Sequence, residues 1–461
     1  MGKVAIIGGG IAATTTALLL DEEITLFEKN SSLISGPPFC HLHAGGNLYP
    51  DIPIKEAISL LKESIEFLRL YPFGVDYRPT IITFPKSYKV EPLEFQKRLE
   101  VVKKEYEKLV EKDSKNMVLG EPQNYYRAIE YEDILKLREK EIKQNPKTFE
   151  DWLIPFARFV DLSSLKFPIF IVNEFGLNMF KIAAGAQIAL EKKDNVRLKL
   201  NSEVIDVKRV EDKFLVTYEL SDGAILQEKF DYLINAAGFL SGKIDDMLGF
   251  KRERYIEFKA AYVTKWQEEV KFPEIIFHGK RGTKDGMAQF TPYFGGYYQL
   301  HGMSKEITLF ENGLVKSTSN STYPKLDNSF LEMIERGWDK ELAELRTKRA
   351  VEHFKRFIPS FTKEAKVTST PLYGAQQIPG NNPDLRAAEV SFEGKNYARC
   401  EIVKVSSAIN MAKEIAKEFN LKSSFKELNL LDSEVTSLSK KIAASRGYPQ
   451  KLGVVLNSNL V

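Results

Sequence analysis

Cysteine is nearly absent from these 461 residues: Cys40 and Cys400 are the whole complement. Two thiols so far apart in sequence cannot build a disulfide framework, and they suit a reducing compartment. Metal-ligand spacings are missing too, since no CxxC or HExxH pattern occurs, which argues against a structural or catalytic metal. A surplus of one charge is also lacking. Lys plus Arg number 66 against 63 Asp plus Glu, a net of +3, which offers no footprint for nucleic acid and leaves room only for a weak peripheral membrane contact. No apolar run approaches the roughly 20 residues of a membrane span. The first motif begins at residue 3, so no cleavable leader is expected. The expectation is a cytoplasmic protein, with peripheral attachment at the inner face of a membrane left open. Internal repeats and low-complexity tracts are lacking as well.

What is present starts at once. With 43% hydrophobic and 28% charged residues the chain can bury a large core, enough for two interleaved domains. Val4 to Ile7 reads as a buried parallel strand. Gly8, Gly9 and Gly10 break it, Ile11 to Leu20 reads as a helix, and Ile24 to Phe27 as a second strand. This βαβ unit carries Gly8-x-Gly10-x-x-Ala13, the dinucleotide fingerprint, whose last position accepts Gly or Ala. Gly8 permits the tight turn, Gly10 lets backbone approach a pyrophosphate, and Ala13 allows close packing, while the helix N-terminus offers unpaired N–H groups. Glu28, 18 residues after Gly10, stands where ribose hydroxyls are bound. A bare glycine turn is the plain alternative.

Further along, Ile58, Leu61, Ile65 and Leu68 fall at helical spacing. Leu93, Leu99, Val102, Tyr106 and Leu109 mark a heavily charged second helix, expected as a solvated surface element. From Asn195 to Gly238 short alternating runs read as a meander that returns to the sheet at Tyr232 to Asn235 and ends in Ala236-Ala237-Gly238. Residues 250–325 read as an antiparallel sheet. A long helical region is expected from about Phe330 to Phe357, with Phe330, Ile334, Trp338, Leu342 and Leu345 as one stripe, and a last helix from about Glu401 to Phe419.

Taken together, the fingerprint with Glu28, the run "SEVIDV", the turn "LINAAG" and the loop "HLHAGGNLYPD" resemble FAD-dependent oxidoreductases of the D-amino-acid-oxidase type. That group has L-2-hydroxyglutarate oxidases, glycerol-3-phosphate dehydrogenases and malate:quinone oxidoreductases as relatives. The resemblance covers most of residues 1–420 and implies an α/β (α+β overall) fold: a Rossmann-like FAD-binding domain with a parallel sheet, and an interleaved antiparallel-sheet substrate domain. It divides the chain into FAD-binding parts at 1–80, 151–245 and 371–424, a helical insertion at 81–150, a substrate domain at 246–370 and a tail at 425–461. The cofactor is then FAD, held by Gly8, Gly9, Gly10, Ala13, Glu28 and Lys29, by the backbone at Val204, and by Ala237 and Gly238. His43, Gly45 and Gly46 would lie beside the isoalloxazine ring. Three departures stand out. Ala13 replaces the glycine of many relatives, Gln376 and Gln377 stand where an arginine is expected, and Arg399, Cys400 and Lys404 precede the last helix in place of a glycine-rich start.

Only one dinucleotide fingerprint is present, which favours oxidation of an organic substrate over oxidation of NADH. The implied chemistry is hydride transfer to the flavin while a base takes the hydroxyl or amine proton. His43 and His301 are the candidate bases; Arg399 is a candidate for the positive charge that a reduced flavin favours. His278 and His353 read as structural, and His41 as a flank of its loop. Tyr293, Tyr297 and Arg281 are candidate contacts for a substrate carboxylate. Covalent flavin attachment through Cys40 or Cys400 is conceivable on the resemblance, with two buried thiols as the alternative. The leading expectation is a dehydrogenase or oxidase of a small, malate-like 2-hydroxy acid, with quinone or oxygen accepting the electrons. An amino-acid or secondary-amine oxidase is the alternative enzyme; a flavin-binding protein without turnover, or an RNA-modification subunit, is the alternative of another class.

Overall fold

The structure is a computed structural model that describes residues 2–35, 39–41, 52–368, 371–385, 388 and 390–458, with only the backbone described at 39–41. Two sheets position everything else. The first has six strands in the order Val390–Phe392, Tyr397–Cys400, Tyr232–Asn235, Lys3–Ile7, Glu23–Phe27, Val196–Lys199. Every neighbouring pair is parallel except the first, where Val390–Phe392 runs antiparallel along the edge. Central parallel strands are covered on both faces and need near-continuous apolar runs, which Val4–Ile7 supplies, as does Ile24–Phe27 with a buried Thr25. The helices Ile11–Leu19, Met179–Glu191 and Ala408–Glu418 cover one face. The meander Ser202–Val210, Lys213–Leu220 and Ile225–Phe230 covers the other, where Val207, Phe214 and Val216 meet Ala5, Ile7 and Phe27.

The second sheet is larger and mixed. Its path runs Leu314–Lys316, Arg254–Lys265, Tyr297–Gly302, Ala288–Tyr293, Glu274–Phe277, Thr80–Pro85, Leu165–Val172, Tyr126–Ile129, and Leu372–Pro379 also pairs with Arg254–Lys265. The expected boundaries change here. Residues 80–85, 126–129 and 165–172 belong to this sheet, so the segment 81–150, expected as a helical insertion, and the start of 151–245, expected as FAD-binding, both contribute strands to it. Pairing between strands far apart in sequence leaves no local trace.

Three expected helices also differ. The stretch from Phe330 to Phe357 is broken: Asn328–Arg336 ends at Gly337, whose φ of +89° halts the helix, and Lys340–His353 restarts under an Asp339 cap. The break resets the helical phase, so Phe330 is buried while Leu345 is exposed and Ala343, Arg346 and Ala350 face inward. The last helix starts at Ala408 rather than Glu401. On Pro92–Lys112, expected as a solvated element, Phe95, Leu99, Val102 and Tyr106 are buried.

Residues 425–458 are stitched between the two sheets. The helix Asp432–Ser445 packs on Met179–Glu191. Asn178 Nδ2 then donates to the Leu452 carbonyl at 2.8 Å, and the buried Asp76 accepts from the N–H groups of Leu456 and Asn457 at 3.1 and 2.9 Å.

Candidate active site

Ligands of open parallel sheets bind beyond the carboxyl ends of the strands, and the three glycines stand there. Gly8 has a φ of +99°, and a Cβ on it would collide with the Ala236 carbonyl. A Cβ on Gly9 would lie 2.7 Å from Glu28 Oε2. At Gly10 nothing lies within 4 Å of that position. The protein itself therefore requires the first two glycines, whereas Gly10 faces open space. Gly10, which lines the cleft, is also the N-cap of Ile11–Leu19 and makes no side-chain cap bond, so the first-turn N–H groups at that end have no side-chain cap. Ala13, fully buried, lets that helix pack closely.

Glu28 is almost buried, yet well supplied with donors. The Gly9 N–H donates to Oε2 at 2.7 Å, while the backbone and side-chain amides of Asn30 donate to Oε1 at 2.8 and 2.7 Å. Burial raises its pKa and these donors oppose the rise. Glu28 thus pins the glycine turn while lining the cleft. Gly8, Gly9, Gly10, Glu28, Lys29, Val204, Ala237 and Gly238 come together around one cleft, with Lys243 beside them. Gly238 has a φ of +59° with open space at its Cβ position. Just past the cleft, Arg446 of the C-terminal segment donates to the carbonyls of Leu33 and Ile34 at 2.6 and 3.0 Å, gripping the chain that follows Glu28. His43, Gly45 and Gly46 lie outside the described residues.

Behind the Ala236-Ala237-Gly238 turn sits a buried ion cluster. Asp245 accepts from Tyr397 OH and Arg399 Nε, each at 2.6 Å, and pairs with Arg254. Asn235 Nδ2 donates to Tyr397 OH at 2.8 Å and so ties the turn to the cluster. This corrects the expectation for Arg399: its guanidinium, 1% exposed, serves Asp245 and Ser391 instead of facing the cleft. Cys400 is equally buried, and burial pushes its thiol up, away from the thiolate that covalent attachment needs. The Cys40 side chain lies outside the description.

The other candidates meet on one face of the large sheet. Gln289, Thr291 and Tyr293 stand opposite His301, Gln299 and Tyr297 in antiparallel register. Tyr293 and Tyr297 pack into the core that also holds Val4, Ile6 and Ala13, whereas the alternate residues Phe290, Tyr298 and Leu300 pack into a separate core beneath. Glu274, fully buried, lies 3.1 Å from Arg78 Nη2 and accepts from Gln289 Nε2 and, at 3.2 Å, from Thr291 Oγ1. His301 Nδ1 lies 3.3 Å from Gln289 Oε1, and Tyr293 OH donates to Gln299 Oε1 at 3.1 Å. Burial pushes the pKa of His301 down to about 3, and the Lys259 and Arg281 cations add to the fall. Arg281 pairs with Glu257, which also lies 2.7 Å from Lys259 Nζ.

Gln376 and Gln377 act as ties. Gln376 Oε1 accepts from Lys259 at 3.1 Å while its Nε2 donates to the Val403 carbonyl at 2.9 Å, and Gln377 Nε2 donates to the Cys400 carbonyl at 2.6 Å. They fasten this polar face to the carboxyl end of Tyr397–Cys400. His278 is stacked on Phe84 with ring centroids 4.9 Å apart, and His353 Nε2 lies 3.1 Å from Arg356. Sequence reasoning missed Arg78, Glu274, Gln289 and Lys259. The alternation of Gln289 and Thr291 with Phe290, and of Gln299 and His301 with Leu300, was the signal for a buried polar face. Among the described residues no group of His, Cys, Asp and Glu could hold a metal ion, and no helix is long and apolar enough to cross a membrane.

No family model matches the sequence, and no curated protein matches it. Solved structures do. Glycine oxidase from Geobacillus kaustophilus superposes with a TM-score of 0.58 at 12% identity, over 94% of this chain and 100% of its own. L-Proline dehydrogenase from P. horikoshii gives 0.55 at 16%, over 90% and 94%. L-alpha-Glycerophosphate oxidase from Mycoplasma pneumoniae, solved with FAD bound, gives 0.54 at 16%, over 92% and 97%. The glycine cleft, the ion cluster behind it and the polar sheet face are thus set in a fold similar to that of these three solved structures.

Proposed function

We propose that the chain is an FAD-dependent oxidoreductase that takes hydride from a small organic substrate, with a 2-hydroxy acid as substrate class and oxygen or a quinone as electron acceptor. The residues present fit FAD on one point above all: the position a Cβ would take at Gly10 is empty, beside an uncapped helix N-terminus. Gly8, Gly9, Gly10 and the first turn of Ile11–Leu19 would hold the pyrophosphate, Glu28 the ribose, Val204 the adenine side, and Ala237 and Gly238 the flavin side. Once bound, FAD supplies the two-electron acceptor.

The observation that carries the substrate class is His301 on the polar sheet face, opposite Gln289 with Nδ1 3.3 Å from its Oε1, where the Lys259 and Arg281 cations act on the ring. A neutral imidazole offers a lone pair to a hydroxyl proton, and a substrate carboxylate set against Lys259 and Arg281 would offset the two cations that lower the basicity of the ring. The two cations attract the carboxylate of the same molecule, and Tyr293 and Tyr297 border it. Among the described residues the carboxylates of this face have cation partners, Glu274 with Arg78 and Glu257 with Lys259 and Arg281, which leaves no acidic cage there for an ammonium group. That weighs against the amine-oxidase reading. His43 is the alternative proton acceptor.

The test is an anaerobic titration of the FAD-loaded protein with 2-hydroxy acids and amino acids, watching the flavin band near ~450 nm. Bleaching by a hydroxy acid, with reduction slowed about 100-fold or more in His301→Asn, is the expected result. Bleaching by amines alone selects the amine oxidase, and an unchanged rate in His301→Asn moves the base to His43. A protein that takes up no FAD ends the reading. Reoxidation by air or by a soluble quinone then identifies the acceptor.

A further inference from the structure

A histidine accepts a proton only at the ring nitrogen that carries the lone pair, and the bond made by the other nitrogen decides which one that is. Here the choice can be traced through three residues. Glu274 is buried with Arg78 Nη2 3.1 Å from its Oε2, so it stands as a paired carboxylate and can only accept. It takes the amide NH2 of Gln289. With that group engaged, Gln289 turns its carbonyl oxygen toward the neighbouring strand, where its register partner His301 places Nδ1 at 3.3 Å. A carbonyl oxygen accepts, so Nδ1 carries the hydrogen and the lone pair lies on Nε2. Reversing the amide would set its carbonyl against the Glu274 carboxylate, acceptor against acceptor. Arg78 is itself fixed: its Nε donates to the Pro292 carbonyl at 3.2 Å, and its guanidinium lies flat against Gly176, where any Cβ would collide with it.

We infer that Arg78, Glu274 and Gln289 form a positioning relay that holds His301 as the Nδ1–H tautomer and so presents Nε2 to the substrate hydroxyl. The inference rests on the reading of His301 given above. The step it serves is a proton transfer: the substrate O–H bond breaks, an N–H bond forms at Nε2, and the neutral ring becomes an imidazolium whose Nδ1–H stays on the Gln289 carbonyl. Gln289 conveys the field of Glu274 without taking a proton. None of the three relay residues needs to touch the substrate.

The measurement is a long-range proton–nitrogen NMR correlation on the purified protein labelled with 15N-histidine, the His301 signals being identified by their loss in His301→Asn. The expected result is a dominant Nδ1–H pattern in the wild type that becomes mixed in Gln289→Leu. Glu274→Gln is the second variant, since an amide there can donate as well as accept and frees Gln289 to turn; it serves if Gln289→Leu does not fold. The kinetic counterpart is a kcat lowered about 10-fold or more, with FAD titration unchanged. A dominant Nε2–H pattern in the wild type, or a pattern unmoved in both variants, overturns the relay. If the relay pattern is found while His301→Asn reduces flavin at the wild-type rate, the relay stands and the base assignment is what fails.

Discussion

The glycine cleft and the polar face of the large sheet are built in opposite ways. In the cleft the working groups are mostly backbone, with Gly8 at a φ of +99°, uncapped helix N–H groups and one carboxylate within the first 28 residues, and the turn from Ala236 to Gly238 and Val204 facing them. On the polar face they are side chains drawn from positions 78 to 376, each held by a buried partner. The cleft is sensitive to an added carbon atom, since its shape lies in the chain path. The sheet face is sensitive to a missing partner, because a buried charge left alone loses its compensation while keeping the penalty of desolvation.

The largest break of this comparison is expected between the two regions, at the ion cluster that anchors the turn from Ala236 to Gly238. Asp245→Ala leaves Arg254 and Arg399 buried without their shared carboxylate. Removal of one partner of a buried pair typically destabilises by about 3–5 kcal/mol, and here two cations are stranded. Denaturant unfolding should read a loss in that range or above; a loss under about 1 kcal/mol would mean that water reaches the cluster. Next in size is Gly8→Ala. The left-handed backbone and the collision with the Ala236 carbonyl lead to an expected loss of about 1–3 kcal/mol, together with weaker flavin binding in a fluorescence titration.

The same contrast decides what could be read before the fold was known. The cleft was legible because its requirements are local: a strand of Val4–Ile7, a glycine turn, a helix and Glu28 follow one another directly, and each leaves its mark on residue type. The face carrying His301 was half legible. Its candidate residues were noticed singly, yet Gln289 meets His301 only through antiparallel register, and Glu274 meets Arg78, almost 200 residues away in the chain, only through the fold. Arg399 was misread because position near a helix start says nothing about direction; the side chain turns to Asp245. The long helix was misread because one glycine, Gly337, resets the phase on which a stripe depends.

Acid separates the two regions by sign. His301 and His353 have pKa values lowered from 6.5 to about 3 and about 4, chiefly by burial, so in that window the unfolded chain binds more protons than the folded one. Stability therefore falls as pH drops from about 6.5 toward 3, and His301→Gln should flatten that limb in a series of thermal unfolding curves. Glu28 runs the other way. Its pKa is raised above 4.5 by burial, so between 4.5 and the raised value the folded chain holds the extra proton, and stability rises as pH falls through that window. Glu28→Gln should remove this opposing term and steepen the acid loss left by the histidines. An acid limb identical in wild type and both variants would place these groups in water.

The smallest effect on stability, and the sharpest division between fold and ligand, is expected at Gly10. Its backbone is extended, with φ −69° and ψ 179°, which alanine adopts freely, and an added Cβ meets nothing within 4 Å. Alanine is a poorer N-cap than glycine but loses less chain entropy on folding, and the two terms roughly offset within about 1 kcal/mol. Unfolding of Gly10→Ala should therefore match the wild type closely. Flavin affinity should not, because the methyl group would occupy the space through which backbone approaches a pyrophosphate. Gly8→Ala loses stability and affinity together; Gly10→Ala should lose affinity alone, by 10-fold or roughly 1.4 kcal/mol at the least. Equal affinity in the Gly10 variant would mean that the opening is not where the dinucleotide lies, even though the turn around it is intact.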